Sequence, residues 1–409
     1  MRAHWLGLFA GALIAAAPIG PMSAGQAPAS QQPTPSASLQ QISQDVDSPD
    51  ASVRRRALGS LREHGGPEAL PLLARLIVDE EVGIREGAIA LVARIYVESP
   101  GGRGGRSPKD AFELAPIGIT PWPVPPDLQR ALVRALADEY PSVRQDSAYT
   151  LAIVAARPLP ESAGFELLAS LSDRDPNVRI AAARALGRLR VREAGAPLVG
   201  RVNDQVLDVR LAAMRALGDL RETGAVPALT DQFEFYVRGI AGRAALDALA
   251  RIGDPASAPL FEAQTGSGYP AHRRSAYEGL ARTGTAQVTA PRIEAAMTAE
   301  GDERVRLAMA FALASAGRSL DRILDALTDD DVADQALEYL VELGPSHAAE
   351  IAARLQDPDP VTRQQIAVIL GFTGSPDASA ALQAAATTDP SAEVRRAIQI
   401  AQLRLRQKK

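Results

Sequence analysis

Apolar residues return along this chain about every 31 residues, and within each period they fall at helical rather than strand spacing. The period is anchored at Val53, Ile84, Val143, Val178, Val209, Ala241, His272, Val305, Val332, Thr362 and Val394. A small or medium residue stands four positions past each anchor, as at Ala57, Ala182 and Ala213, and Leu usually stands eight past, as at Leu61, Leu186 and Leu217. Positions i, i+4 and i+8 share one face of an α-helix, so this triad is the buried face of one helix per period. A shorter apolar stretch ahead of it, as in residues 69–77 or 225–229, predicts a first helix. Asp50, Asp175, Asp302, Asp329, Asp359 and Ser391 stand three residues before their anchors, where a side-chain oxygen caps the second helix. Pro141, Pro176, Pro270 and Pro360 follow at the first helical position. Gly253, Gly284, Gly317, Gly344 and Gly374 are placed to end it. The pattern predicts an all-α solenoid of eleven two-helix units over residues 39–409.

The interval from Ile84 to Val143 is 59 residues, which is one period plus an insertion. The surplus, residues 97–126, contains a Gly-rich run at 101–105 and a Pro-rich run at 121–126. That much Gly and Pro predicts a non-helical loop, and insertions in repeat arrays gather on one face that is often used for binding. Trp122 and Phe112 are its aromatic candidates for a partner contact.

Composition narrows the function classes. A net charge of −5 argues against the basic face of a phosphate reader, so no nucleic-acid partner is expected. The absence of cysteine excludes disulfides, thiolate metal sites and cysteine nucleophiles. Residues 1–27 read as a signal peptide: a basic start, an apolar run too short for an ordinary span, then small residues. Residues 28–38, rich in Pro, Ala, Gln and Ser, read as a flexible linker. The expected location is therefore periplasmic or secreted, with no transmembrane span in the mature chain.

Residues 173–187 and 208–218, which share the run Val-Arg-x-Ala-Ala, resemble a HEAT-like repeat of the phycocyanobilin-lyase (PBS lyase) type. The resemblance covers residues 40–409 and implies a right-handed α-solenoid. It also implies a structural ladder between neighbouring units. Its arginines would be Arg54, Arg85, Arg144, Arg179, Arg210, Arg306, Arg363 and Arg395, and its acids Asp79, Asp138, Asp173, Asp204, Asp357 and Asp389. The ladder is interrupted at Gly242 and Ala333, which stand where Arg is expected.

A reactive constellation is not evident. Of His4, His64, His272 and His347, none is followed by Glu, so the paired His-Glu iron motifs of a HEAT-like hydroxylase are missing, and no cofactor is expected. His272, at an anchor, is expected to be a packed histidine satisfied by a backbone carbonyl. The aromatic run 233–236 is expected to fill a packing gap. The binding candidates are the positions six past the anchors, which in similar repeats line the concave surface: Tyr149, Arg184, Arg215, Asp247, Glu278, Phe311 and Glu338. Basic units give way to acidic ones along this row, which predicts a bipolar strip that orients a protein or peptide partner. The expected function is an exported, non-enzymatic scaffold; the alternative is a lyase-like or tetrapyrrole-handling protein.

Overall fold

A computed structural model describes residues 39–97, 107–118, 122–155 and 159–407. The expected signal peptide and linker lie outside the described residues, as does the Gly-rich run 101–105.

The chain is an all-α solenoid. Its second helices include Ala51–His64, Val82–Tyr96, Pro141–Val154, Pro176–Leu189, Leu207–Leu220, Ile240–Ile252, Pro270–Arg282, Glu303–Ser315, Pro360–Thr373 and Ala392–Gln407. Each packs side by side with the next, with helix Ala333–Ala353 standing between Glu303–Ser315 and Pro360–Thr373, and the shorter first helices lie behind them. The anchor triads are the seam: Val178, Ala182 and Leu186 are fully buried, and so are Val209, Ala213 and Leu217. Burying each such Val or Leu contributes roughly 1.5–3 kcal/mol, which the array gains once per unit and per neighbour rather than through a central core. Among the described residues, no helix is long and apolar enough to cross a membrane.

The caps follow the residue chemistry. Asp50, Asp175, Asp302 and Asp359 each accept a hydrogen bond from an N–H of the first turn. Gly253 and Gly374 close their helices in the left-handed region, where only glycine is free of steric cost. Arg190 and Arg221 take the same conformation, with φ of 56° and 55°. Just before those ends the second helices come unusually close. A Cβ added at Gly187 would lie 2.8 Å from Ala216 Cα, and one at Gly371 would lie 2.9 Å from Ala401 Cα. Small residues at this turn draw the C-terminal ends of neighbouring second helices together, which places the curvature of the array on that side.

The ladder forms at Arg54, Arg85, Arg144, Arg179 and Arg363. It does not form at the expected Arg210 and Arg306, which meet no acid of the next unit among the described residues. Where it forms, it does three things at once. Arg54, Arg85, Arg144, Arg179 and Arg363 each meet the acid of the following unit, Asp79, Asp138, Asp173, Asp204 and Asp389, at 2.6–3.0 Å. Arg273 adds a rung with Glu300 at 2.7 Å. Each arginine also donates to the carbonyl six residues before it, as Arg179 does to Asp173 O. Each acid in turn accepts the N–H two residues on, as Asp204 does from Val206. Arg273 and Arg363 hold Glu300 and Asp389 below the ordinary carboxylate range. At Asp79, Asp173 and Asp204 burial pulls the other way and is outweighed by the arginine and amide hydrogen bonds. Arg395, in the last unit, keeps its bonds to Asp389 O and Pro390 O. Asp357 has no arginine in the preceding unit and lies 3.8 Å from Arg354.

Two expectations are corrected. The insertion is not wholly a loop: Pro108–Gly118 is a helix packed against the third unit's second helix. Its Gly and Pro crowd the two ends of the segment, and Pro108 sits at the first turn, where it loses no hydrogen bond. The ninth unit departs from the register. Helix Ala333–Ala353 runs on through Gly344 to a non-helical His347, so Gly344 does not end it, and Val332 lies at its N-terminal edge. Asp329 accepts from Asp331 N–H rather than from that helix. Leu327 and Ala333 replace the acid and arginine here, so no rung holds the usual loop geometry.

Candidate functional site

The concave face carries two clusters. The first lies where the insertion helix meets the third and fourth units. Phe112, from that helix, is buried against Tyr149 with ring centroids 5.1 Å apart. Arg184 and Arg188 lie over the Phe112 ring at 5.1 and 3.5 Å, and Arg184 meets Glu113 at 2.5 Å. Burial, with the charges of Arg184 and Arg215 beside it, lowers Arg188 to about 10. Burial raises Tyr149 above the ordinary phenol value. Beside this cluster runs a groove of about 320 Å³ across three units. Its walls are Lys109 of the insertion helix, then Gln145, Tyr149, Asn177, Ile180, Arg184, Asp208, Leu211, Ala212 and Arg215.

The second cluster joins units that are not neighbours. Glu342 meets Arg282 at 2.8 Å and Arg221 at 3.0 Å, and Glu338 meets Arg251 at 3.7 Å. Glu278 accepts from Tyr339 Oη at 2.5 Å, and Arg282 lies over Phe311, itself stacked on Tyr339 at 4.3 Å. Burial raises Glu278 against the pull of Arg282 and Arg274. At Glu342 the Arg282 hydrogen bonds overcome burial and lower it. Contacts from the fifth unit to the ninth show how tightly the concave side is drawn in.

This geometry divides the expected strip. Arg215 and Glu338 remain exposed, with 57% and 61% of their side-chain surface in solvent. Arg184 is partly covered by Glu113 and Phe112. Asp247 turns to Arg274, at 3.3 Å, and to Ser275 of the next unit. Phe112, Tyr149, Phe311 and Glu278 do not present a free surface, contrary to expectation. The first two are covered by each other, and the last two by the ninth unit. Trp122 is half-buried and packs on the core rather than standing out as an anchor. His272 is buried between Phe233 and Tyr269, at 5.6 and 5.1 Å, with Ser267 Oγ 3.5 Å from Nδ1; aromatic packing replaces the expected carbonyl.

The +6 row alone missed Arg188, Arg282 and Glu342. All three stand ten past their anchors, one helical turn further along the same face, where the C-terminal ends converge. Reading that second row would have found them. Lys109 and Glu113 were hidden inside a segment taken for a loop.

The HEAT repeats family model matches residues 166–239 and 320–402, and the PBS lyase HEAT-like repeat model matches residues 53–79. No curated protein matches the sequence. Among solved structures, the chain is similar to an engineered protein at 18% identity, over 90% of this chain and 98% of that one, with a TM-score of 0.36. It is similar to Kap121p bound to Ste12p at 16% identity, over 89% of this chain and 44% of that one, with a TM-score of 0.40. The chain thus spans less than half of Kap121p. It is also similar to the complex of CpcE and CpcF of phycocyanin lyase from Nostoc sp. PCC7120, at 21% identity, over 65% of this chain and 98% of that one, with a TM-score of 0.35. The chain thus carries HEAT repeats over residues 166–239 and 320–402 and a repeat of the PBS lyase HEAT-like type at residues 53–79.

Proposed function

We propose that the chain is an exported, non-enzymatic scaffold that holds an extended segment of a protein partner in the concave groove of the third to fifth units. The observation that carries this reading is the repetition of the groove's walls. Gln145, Ile180 and Leu211 occupy the same place two past their anchors, and Tyr149, Arg184 and Arg215 the place six past. A surface that repeats with the helices suits a ligand that also repeats, namely a polypeptide backbone. Neighbouring helices lie about 8–10 Å apart and an extended chain rises about 3.3 Å per residue, so each unit spans about three partner residues. Amides at Gln145 and Asn177 can bond a peptide backbone, and Lys109, Arg184 and Arg215 favour acidic side chains. Export rests on the order of basic, apolar and small residues in positions 1–27.

A photo-crosslinking residue placed at Leu211 tests the reading in cells. The expected result is a discrete crosslinked protein that disappears with Arg215→Glu while helicity is unchanged. No crosslink, or one indifferent to Arg215, would contradict it. A stoichiometric chromophore bound to the purified chain would favour the tetrapyrrole-handling alternative instead.

A further inference from the structure

The ladder is interrupted once without repair. At the sixth unit Tyr236 stands where the acid belongs and Gly242 where the arginine belongs. Among the described residues, Arg210 of the fifth unit therefore meets no carboxylate. Its Nη1 donates to Asp204 O at 2.9 Å, and its buried Nε has no hydrogen-bond partner among the described residues. In the intact rungs, Nε is an atom that meets the acid, as in Arg54 with Asp79 and Arg363 with Asp389. The other break is repaired from within: Arg306, faced by Leu327, takes Glu303 of its own helix at 2.7 Å through Nε. No such substitute serves Arg210.

The loop that carries this break also exposes apolar surface. Phe235, at the end of helix Val226–Phe235, is 78% exposed and meets Tyr236 edge to face at 4.6 Å, with Val237 in the loop and Ile240 at the start of the next helix also exposed. A Cβ at Gly242 would lie 2.1 Å from Tyr236 O, so glycine there permits the turn that leaves these side chains outside. The run 233–236 is thus split: Phe233 fills the packing gap expected of it, and Phe235 does not. Tyr269 of the next unit, half exposed, extends the aromatic surface and is tied through His272 to the core.

We propose that this loop edge of the fifth to seventh units is a docking site for a protein segment presenting Asp or Glu beside an aromatic or branched aliphatic side chain. The partner's carboxylate completes the rung at Arg210 with the paired-donor geometry used elsewhere in the ladder, and its apolar neighbour covers Phe235 and Tyr236. The site is separate from the concave groove and does not depend on that reading.

The test is to select a displayed library of random short peptides on the full chain. Enriched peptides are expected to share an acid next to an aromatic or aliphatic residue. They are expected to lose about tenfold or more in affinity against Arg210→Met, and likewise against the double variant Phe235→Ser, Tyr236→Ser, which alters only an exposed helix end and loop. No enrichment of that motif, or affinity unchanged in the loop variant, overturns the proposal. Self-association of the chain abolished by the same loop variant also overturns it, because the occupant would then be a second copy.

Discussion

Arg179 and Arg210 occupy the same place in consecutive units and differ chiefly in the rung, so together they measure what it contributes. Arg179 pairs with Asp204 through Nε and Nη2 at 3.1 and 3.0 Å, and its Nη1 donates to Asp173 O at 2.9 Å and, more weakly, to Arg174 O at 3.2 Å. Arg210 makes only the carbonyl bond, at 2.9 Å. Replacing either with Met keeps the aliphatic stem and removes the guanidinium. The lost carbonyl bond costs about 1 kcal/mol in each case. Breaking a buried pair costs about 3–5 kcal/mol, mostly through the charge left behind. Asp204 retains its bond from Val206 N–H and Arg201 at 3.6 Å, which discounts the rung to about 2 kcal/mol. Arg179→Met is therefore expected to cost about 3 kcal/mol and Arg210→Met about 1 kcal/mol. Global melting is a poor readout, because a repeat array need not unfold as one unit. Native-state hydrogen exchange in helices Pro176–Leu189 and Leu207–Leu220 is the suitable assay. The difference of about 2 kcal/mol appears as roughly thirtyfold faster exchange in the Arg179 variant than in the Arg210 variant. Equal losses in the two variants would refute the assignment of the stabilisation to the rung.

Two further predictions concern the concave side. Asp146 is raised to about 6 by burial first and then by the charge of Glu86. Its folded value exceeds its unfolded one, so stability falls as pH rises from about 4 to about 6 and levels off above that. Asp146→Asn should remove this decline and raise stability at neutral pH by about 1–2 kcal/mol, after discounting for partial exposure; thermal midpoints across pH check it, and an unchanged profile contradicts it. Glu342→Ala removes the carboxylate that ties Arg221 and Arg282 across four units. It should open the superhelix, seen as a larger radius of gyration in small-angle X-ray scattering, whereas an unchanged radius would show that the glycine-lined helix crossings alone set the curvature.

The architecture was legible because every unit repeats the same physical requirements. A triad at i, i+4 and i+8, a capping Asp and a terminal Gly each have one local cause, and Val178, Ala182, Leu186 and Asp175 do what their spacing implies. The site was legible only in part because it depends on curvature, which no single unit encodes. Tyr149 and Phe311 read as exposed positions of an isolated helix, yet the insertion helix covers one and the ninth unit the other. Glu342 reaches Arg221 across 121 residues, a contact that only the summed rotation of several units creates. The helix Pro108–Gly118 was obscured by averaging its composition with the Gly-rich and Pro-rich ends of its segment.

Hydrogen exchange of the chain with and without its crosslinked partner tests the central claim most directly, that the periodic Arg–Asp rows are structural and the concave groove binds. Protection is predicted on the groove-lining stretches of helices Pro141–Val154, Pro176–Leu189 and Leu207–Leu220, with the intact Arg179–Asp204 rung unaffected. Protection confined to the intact ladder rungs, with the groove unchanged, would contradict it.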